Sequence, residues 1–141
     1  MLSDKMKKII CDTQGNIFLH TNEMSCDMNL FVPAYMKSYF CEHSMDTLYS
    51  RYQMAPAEEC LDFILPEIKT PKIESPQYQS NVMYWIGYMY RMLYFSLDIK
   101  SKDIILSVPF QDMLVYYPGL HTVAYEMAVE IIKENKFSYV A

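Results

Sequence analysis

Cys41, Glu42 and His43 place a nucleophile, an acid and a base side by side in the chain. These are the residue types that nucleophilic catalysis uses, with the imidazole activating the thiol. Neighbouring residues on a helix, however, point about 100° apart, so the thiol and the imidazole could not hydrogen-bond to each other. We therefore predict that this tripeptide is not a catalytic site, and that the protein is not an enzyme.

Four cysteines and three histidines are the residues that could bind a metal. The four cysteines are Cys11, Cys26, Cys41 and Cys60, and the closest two lie 15 positions apart. Metal and redox motifs need closer pairs, and His20, His43 and His121 share no ligand spacing with the cysteines. Nor does the chain hold a GxGxxG, P-loop or HExxH motif. These patterns predict four free thiols in a reducing cytoplasm, no metal and no cofactor.

One compact polar motif, Gly119-Leu120-His121-Thr122, allows two interpretations. In the first, Gly119 ends one helix, Leu120 is a buried anchor, Thr122 caps the next helix, and His121 hydrogen-bonds to a carbonyl group. In the second, His121 contacts a partner at an exposed corner between two helices.

Composition limits the class of protein. The chain has 141 residues, 52% of them hydrophobic, with a formal charge of −5, 12 Met and 13 Tyr. Such a length suits one domain with a single core, and the acidic balance argues against a nucleic-acid partner. The longest uninterrupted apolar run, residues 82–90, is much shorter than the ~20 residues that a membrane span requires. Tyr and Met suit binding surfaces as well as cores.

Capping residues and prolines predict an all-α, single-domain bundle of six or seven helices. Residues 25–66 should hold the N-terminal helices, 67–76 a proline-rich connection, and 77–136 the C-terminal helices. The expected N-terminal signals are Pro33, Ser44, Pro56, Ser75, Ser101, Pro109 and Thr122. Pro66 is expected to end the helix that Pro56 opens, and the helix after Ser75 to run to about Leu97.

The first 24 residues allow either a small β-hairpin or an N-terminal extension. Two short apolar runs, residues 8–11 and 17–19, flank the sequence DTQGN, which is typical of a turn.

The segment YWIGYMYRMLYF, residues 84–95, is apolar around its whole circumference apart from Arg91. One face has Val82, Ile86 and Leu93 and should enter the core. The second face gathers Tyr84, Gly87, Tyr88, Arg91, Tyr94 and Phe95. Either helices of the same chain cover this face and Arg91 pairs with an acid such as Asp98 or Glu126, or a partner protein covers it. Tyr and Arg dominate interface hot spots, and Gly87 would allow a close approach.

Two longer stretches carry a family resemblance. YWIGYMYRMLYFSLDIKSKDIIL followed by YYPGLHTVAYEMAVEII, with FCEHSMDTLYSRYQ and ECLDFILPEI before them, resembles small bacterial proteins encoded beside ADP-ribosyltransferase-like toxins. The resemblance implies an antitoxin or accessory protein whose partner is the toxin. It supplies no contact residues.

We therefore expect a non-enzymatic protein-binding module, an antitoxin-like neutraliser or accessory partner of a toxin encoded nearby. The predicted partner-binding residues are Tyr84, Tyr88, Arg91, Tyr94, Phe95 and His121. One alternative is a transcriptional regulator whose helices after Ser101 and Pro109 form a helix-turn-helix, although a basic recognition helix is missing. Another is an enzyme that uses His121 or a cysteine.

Overall fold

A computed structural model describes residues 2–137. These residues form seven α-helices, one π-helical turn and one 3-10 helix, and the described part contains no strand. The α-helices are α1 (Asp4–Glu23), α2 (Met28–Met36), α3 (Ala57–Ile68), α4 (Ser80–Leu97), α5 (Ser101–Ser107), α6 (Phe110–Leu120) and α7 (Tyr125–Phe137). The π-helical turn spans Cys41–Met45 and the 3-10 helix Arg51–Met54. The predicted all-α, single-domain bundle is confirmed.

The predicted N-terminal hairpin is wrong, because α1 runs without interruption through the supposed turn. Ser3 caps the helix by accepting a hydrogen bond from the backbone N–H of Met6. Within α1 the Thr13 hydroxyl donates a hydrogen bond to the carbonyl of Ile9, four residues back, so this hydroxyl finds its partner within the helix. The preference of these residues for a turn is a weak, local effect. Burial of one face of a twenty-residue helix stabilises the fold by more than that preference.

The central feature of the fold is the crossing of α1 over α4. The two helices meet at Gly15 and Gly87, where a Cβ atom on Gly87 would lie 2.7 Å from the backbone oxygen of Gln14. The side chain of Gln14 donates to the carbonyl of Gly87 at 2.9 Å and so joins the two backbones. The close approach that Gly87 allows is therefore made by α1 of the same chain.

The core lies around this crossing. On α4 the predicted core face is confirmed, since Ile86 and Leu93 are fully buried and Val82 is partly buried. Phe18 of α1 meets Tyr35 edge-on, with the ring centroids 5.4 Å apart. Aromatic and aliphatic side chains from all seven α-helices complete one continuous cluster.

Two predicted helix starts are wrong because the chain is capped elsewhere. Asp27 begins α2 by accepting from the N–H of Asn29, so Pro33 lies inside this helix. In place of a helix capped by Ser44, the chain forms the π-helical turn and then the short 3-10 helix, which Ser50 caps.

Two boundaries around the proline-rich connection also differ from prediction. Pro66 is tolerated in the last turn of α3, and Lys69, the residue after the helix, caps it in the left-handed conformation with φ 53°. Ser75 caps nothing, and α4 begins only after Gln79. Tyr78 explains the delay, because its carbonyl accepts from Asn22 at 2.7 Å and holds the chain against α1. The end of α4 at Leu97 agrees with prediction.

Two of the remaining predicted starts agree closely with the structure. Pro109 immediately precedes α6, and Pro56 immediately precedes α3. Ser101 is the first residue of α5 rather than its cap, and α7 begins at Tyr125, three residues beyond Thr122. Among residues 2–137, no helix is both long and apolar enough to cross a membrane.

Candidate functional site

Arg91 lies at the centre of a buried polar cluster. Its guanidinium donates through Nε and Nη2 to the side-chain oxygen of Gln14, at 3.1 and 2.7 Å, and through Nη1 to Asp46 at 2.6 Å. The Arg91 side chain is 0% exposed and that of Asp46 3%. Burial by itself lowers the pKa of Arg91. Its neighbours Cys41, Asp46 and Tyr35 raise this pKa above the ordinary value, so the guanidinium is charged.

Asp46 is the acid that pairs with Arg91, so the predicted partners Asp98 and Glu126 are wrong. The Asp46 carboxylate also accepts from the backbone N–H and the hydroxyl of Ser101, both at 2.7 Å. The pair joins α4, the end of the π-helical turn and the start of α5. Sequence spacing could not identify Asp46, because it is 45 residues from Arg91 and in an irregular segment.

This cluster decides how the second face of α4 is covered. Arg91 is completely buried and Tyr88 is only 6% exposed, so neither can meet a partner in this conformation. Tyr88 stacks on Tyr125 of α7 with ring centroids 4.1 Å apart. Tyr84 is half-buried and donates to the carboxylate of Asp12 on α1. The interpretation in which helices of the same chain cover this face is confirmed for these residues, and the partner role assigned to Arg91 and Tyr88 is wrong.

Tyr94 and Phe95, the next two predicted contact residues, are also half-buried. The Arg91 guanidinium carbon lies 4.7 Å from the centroid of the Tyr94 ring. Phe95 lines a cavity of about 300 Å³ between α1, α4 and α7, where the ammonium of Lys7 lies 5.8 Å from its ring. The partner role of these two residues stays a prediction.

His121 is exposed at the end of α6. Its Nδ1 atom lies 2.8 Å from the carbonyl oxygen of Tyr117, and its ring stacks on the Tyr117 ring at 4.3 Å. The predicted hydrogen bond to a carbonyl is therefore confirmed. Contact with a partner through His121 stays a prediction.

The tripeptide Cys41-Glu42-His43 lies in the π-helical turn, and its side chains point in different directions. Cys41 is fully buried, its sulfur lies 3.4 Å from Nη2 of Arg91, and burial raises the pKa of its thiol. His43 is exposed and stacks on Tyr39 at 3.9 Å. A thiol with a raised pKa is a poor nucleophile at neutral pH, and the two residues have separate partners, as the sequence predicted.

Beside this turn the surface forms an aromatic groove, which we define by Tyr39, Phe40, Ser44, Tyr52, Phe63, Pro66 and Glu67. The groove has a volume of about 510 Å³. One wall is the chain entering the π-helical turn, the floor is the 3-10 helix, and the other wall is α3. The Tyr52 ring meets Phe40 at 5.6 Å and Phe63 at 5.0 Å, both edge-on.

Glu67 fixes the two walls of the aromatic groove relative to each other. Its carboxylate accepts from the backbone N–H of Tyr39 at 2.6 Å and of Phe40 at 3.1 Å. Gln53 holds the connecting loop by donating to the carbonyls of Met45 and Thr47. Hydrogen bonds within the protein therefore fix the shape of the groove without a bound partner.

The rim of the aromatic groove exposes large apolar side chains. Tyr39 is 69% exposed and Phe63 51%, and the loop between the π-helical turn and the 3-10 helix exposes Leu48 at 84% and Tyr49 at 75%. The sequence patterns did not predict this surface. Phe63 was detectable, because it lies about 200° around α3 from the buried Leu61. Leu48 and Tyr49 lie in an irregular segment, where no periodicity distinguishes an exposed side chain from a buried one.

Other chemistry has less support in the described residues. No group of three or more His, Cys, Asp or Glu side chains between residues 2 and 137 could hold a metal ion. All four cysteines are free and buried. In α6, which would be the recognition helix of a helix-turn-helix, Asp112 is the one charged residue.

No family model, no curated protein and no solved structure matches the chain. The resemblance to proteins encoded beside toxins therefore stays a prediction.

Proposed function

We propose that this protein is a non-enzymatic protein-binding module that holds its partner in the aromatic groove. The observation that carries the proposal is the exposure of Tyr39 and Phe63, which line a preformed groove. Leu48 and Tyr49, in the loop between the groove residues Ser44 and Tyr52, are exposed as well. Contiguous exposed apolar surface is unusual on monomers and is typical of protein interaction sites.

The chemistry of the aromatic groove favours a protein ligand. Tyrosine and phenylalanine rings supply large contact areas with few rotatable bonds, so little conformational entropy is lost on binding. Glu67 already orders the backbone of Tyr39 and Phe40, which reduces the entropy loss further.

For the partner, we propose the toxin that the sequence resemblance implies, so that this protein is an antitoxin-like neutraliser or accessory protein. The acidic charge of −5 suits a partner whose nucleotide-binding cleft is basic. A helix-turn-helix regulator has weaker support, because α6 carries no lysine or arginine for the DNA backbone.

The test uses the toxin-like protein encoded beside this gene. We expect the two purified proteins to bind in isothermal titration calorimetry, and co-expression to restore growth of cells that make the toxin. The double variant Tyr39→Ala/Phe63→Ala should weaken binding by about 2 kcal/mol or more, roughly thirtyfold in Kd. Its thermal midpoint should change little, since both side chains are largely exposed.

Met127→Ala is the matched control, because Met127 is 57% exposed on α7, which does not line the aromatic groove. This variant should bind the partner like the unchanged protein. Equal affinity of the double variant and the unchanged protein would contradict the role of the groove. If the neighbouring genes encode no toxin-like protein, the proposed partner is wrong.

A further inference from the structure

We infer that the aromatic groove receives a cationic side chain, an arginine or lysine in an exposed segment of the partner protein. The inference rests on the proposed function and adds the chemistry of the bound segment. In this arrangement the charged group meets Glu67 and the aliphatic stem lies on the rings of Tyr39 and Phe63.

The charge around the aromatic groove is the first support. Helix α3, which forms one wall, carries Glu58, Glu59, Asp62 and Glu67 and no lysine or arginine. Among the described residues, Glu59 pairs with Arg51 and Glu58 lies 3.6 Å from the His20 ring, whereas no ion pair includes Asp62 or Glu67. A positive segment would gain from this field, and an acidic or phosphorylated segment would be repelled.

Glu67 has capacity for a further donor. An ionised carboxylate offers about four lone-pair sites, and the backbone N–H groups of Tyr39 and Phe40 use two of them. The other sites can accept from a guanidinium or an ammonium group. Such charge-assisted hydrogen bonds are shorter and stronger than neutral ones.

The aromatic rings are the second support. The Arg51 guanidinium already lies over the Tyr52 ring, 4.9 Å from its centroid, so one ring of this groove binds a cation within the chain itself. Tyr39 and Phe63 are exposed and offer further ring surface. A cation over an aromatic face is attracted by the ring quadrupole, and the aliphatic stem of arginine packs against the same rings.

A second copy of this chain fits the groove less well. Two copies would bring two α3 helices together, and all the charged residues of each α3 are acidic. Repulsion between like charges opposes such a dimer. A homodimer through this surface is therefore an outcome that would contradict the inference.

The test uses three seven-residue peptide amides that differ at one position. Each has leucine and proline on both sides of a central residue, which is arginine, its neutral isostere citrulline, or glutamate. The peptides are titrated into the ¹⁵N-labelled protein, and the amide signals of Tyr39 and Phe40, whose N–H groups bind Glu67, report binding. We expect the arginine peptide to bind roughly tenfold more tightly than the citrulline peptide, and the glutamate peptide to bind most weakly.

Two controls separate charge from folding. Raising NaCl from about 50 to about 500 mM should weaken binding of the arginine peptide and leave binding of the citrulline peptide nearly unchanged, since salt screens charges. Glu67→Gln should reduce the arginine preference to within twofold, whereas Glu134→Gln, an equal charge change on the exposed side of α7, should preserve it. The salt series supplies the answer even if Glu67→Gln alters the fold.

The outcomes distinguish this inference from the proposed function. Equal binding of the arginine and citrulline peptides, tighter binding of the glutamate peptide, no binding of any peptide at about 10 mM, or dimerisation through the groove would each overturn the cationic segment. The proposed function is judged by the partner titration with Tyr39→Ala/Phe63→Ala. That titration can succeed while the peptide test fails, and in that case the partner binds the groove without a cationic side chain.

Discussion

Arg91 is a fully buried charge whose hydrogen bonds connect four segments of the chain. Its partners Gln14, Asp46 and Ser101 come from α1, the end of the π-helical turn and α5. Removing one member of a buried ion pair leaves an uncompensated charge, which is more destabilising than the pair is stabilising. The cluster therefore specifies how these segments fit together.

We expect Arg91→Ala and Asp46→Ala each to lower the free energy of unfolding by about 3–5 kcal/mol, because each leaves its partner buried and unpaired. The double variant should lose less than the sum of the two, with a coupling energy of about 0.5–3 kcal/mol. Urea denaturation followed by circular dichroism measures all four proteins. Strictly additive losses would show that the two side chains act independently.

Lys100→Ala is the control for this cycle. Lys100 pairs with Glu42 at 3.1 Å, but both side chains are partly exposed. Because water and salt screen such a pair, its loss should barely change the thermal midpoint.

Cys11 should make stability depend on pH in alkali. Burial raises the pKa of its thiol from 9.0 to about 12 in the folded protein. The unfolded chain keeps the lower value, so above about pH 9 it binds fewer protons than the folded protein does. The free energy of unfolding should then fall as pH rises from about 9 to about 12, and no such loss occurs at lower pH.

The measurement compares the unchanged protein with Cys11→Ala by urea denaturation from pH 7 to pH 11. Between pH 9.5 and 11 the variant should lose stability less steeply, by up to about 1.4 kcal/mol per pH unit, since it lacks one ionising thiol. Parallel pH profiles would mean that Cys11 ionises equally in both states.

At the scale of elements, the α1–α4 crossing depends on two glycines. Gly87→Ala should lower the free energy of unfolding by about 1–3 kcal/mol, because the new Cβ would lie 2.7 Å from the Gln14 backbone oxygen, and backbone cannot rotate away. Chemical denaturation measures the change.

Gly119→Ala makes the same substitution where there is room. Apart from its own helix backbone and chain neighbours, no atom lies within 4 Å of the position of its Cβ. Because alanine favours helix over glycine, this variant should be as stable as the unchanged protein or more stable by up to about 1 kcal/mol. If Gly87→Ala behaves like Gly119→Ala, the two helices do not pack as closely as described.

The π-helical turn lies between the buried cluster and the aromatic groove. The N–H of Asp46 bonds to the carbonyl of Cys41 at 2.8 Å, five residues back. π-turns are rare and often occur at functional sites. Here the turn directs the Asp46 carboxylate inward to Arg91 and leaves Tyr39 and His43 on the surface, so it connects the buried cluster to the aromatic groove.

At the scale of the whole molecule, stability should be unevenly distributed. We expect amide hydrogen exchange to be slowest at the α1–α4 crossing, where Ile17 and Ile86 are fully buried, and fast in residues 47–49, which carry the exposed Leu48 and Tyr49. Exchange followed by NMR gives a rate for each amide. Equal protection of both regions would show that the loop beside the aromatic groove is as stable as the core.

The sequence alone determined the fold class, the end of α4 and the starts of α3 and α6. These features depend on local causes. The segment 84–95 is apolar around almost its whole circumference, which is typical of a buried helix, and Pro56 and Pro109 have a fixed φ angle and lack an N–H, which favours the start of a helix. It also identified Gly87 as a site of close approach and limited Arg91 to an internal acid or a partner.

Only the tertiary structure decided which of those alternatives holds. Asp46, rather than Asp98 or Glu126, reaches Arg91 because the π-helical turn carries it into the core, and α1 rather than a partner covers Gly87. The aromatic groove combines Tyr39 with Phe63, which lie 24 positions apart on separate segments. Local propensity acts over a few residues, whereas burial, ion pairing and surface exposure depend on contacts between segments that are distant in sequence, and only the packed chain fixes them.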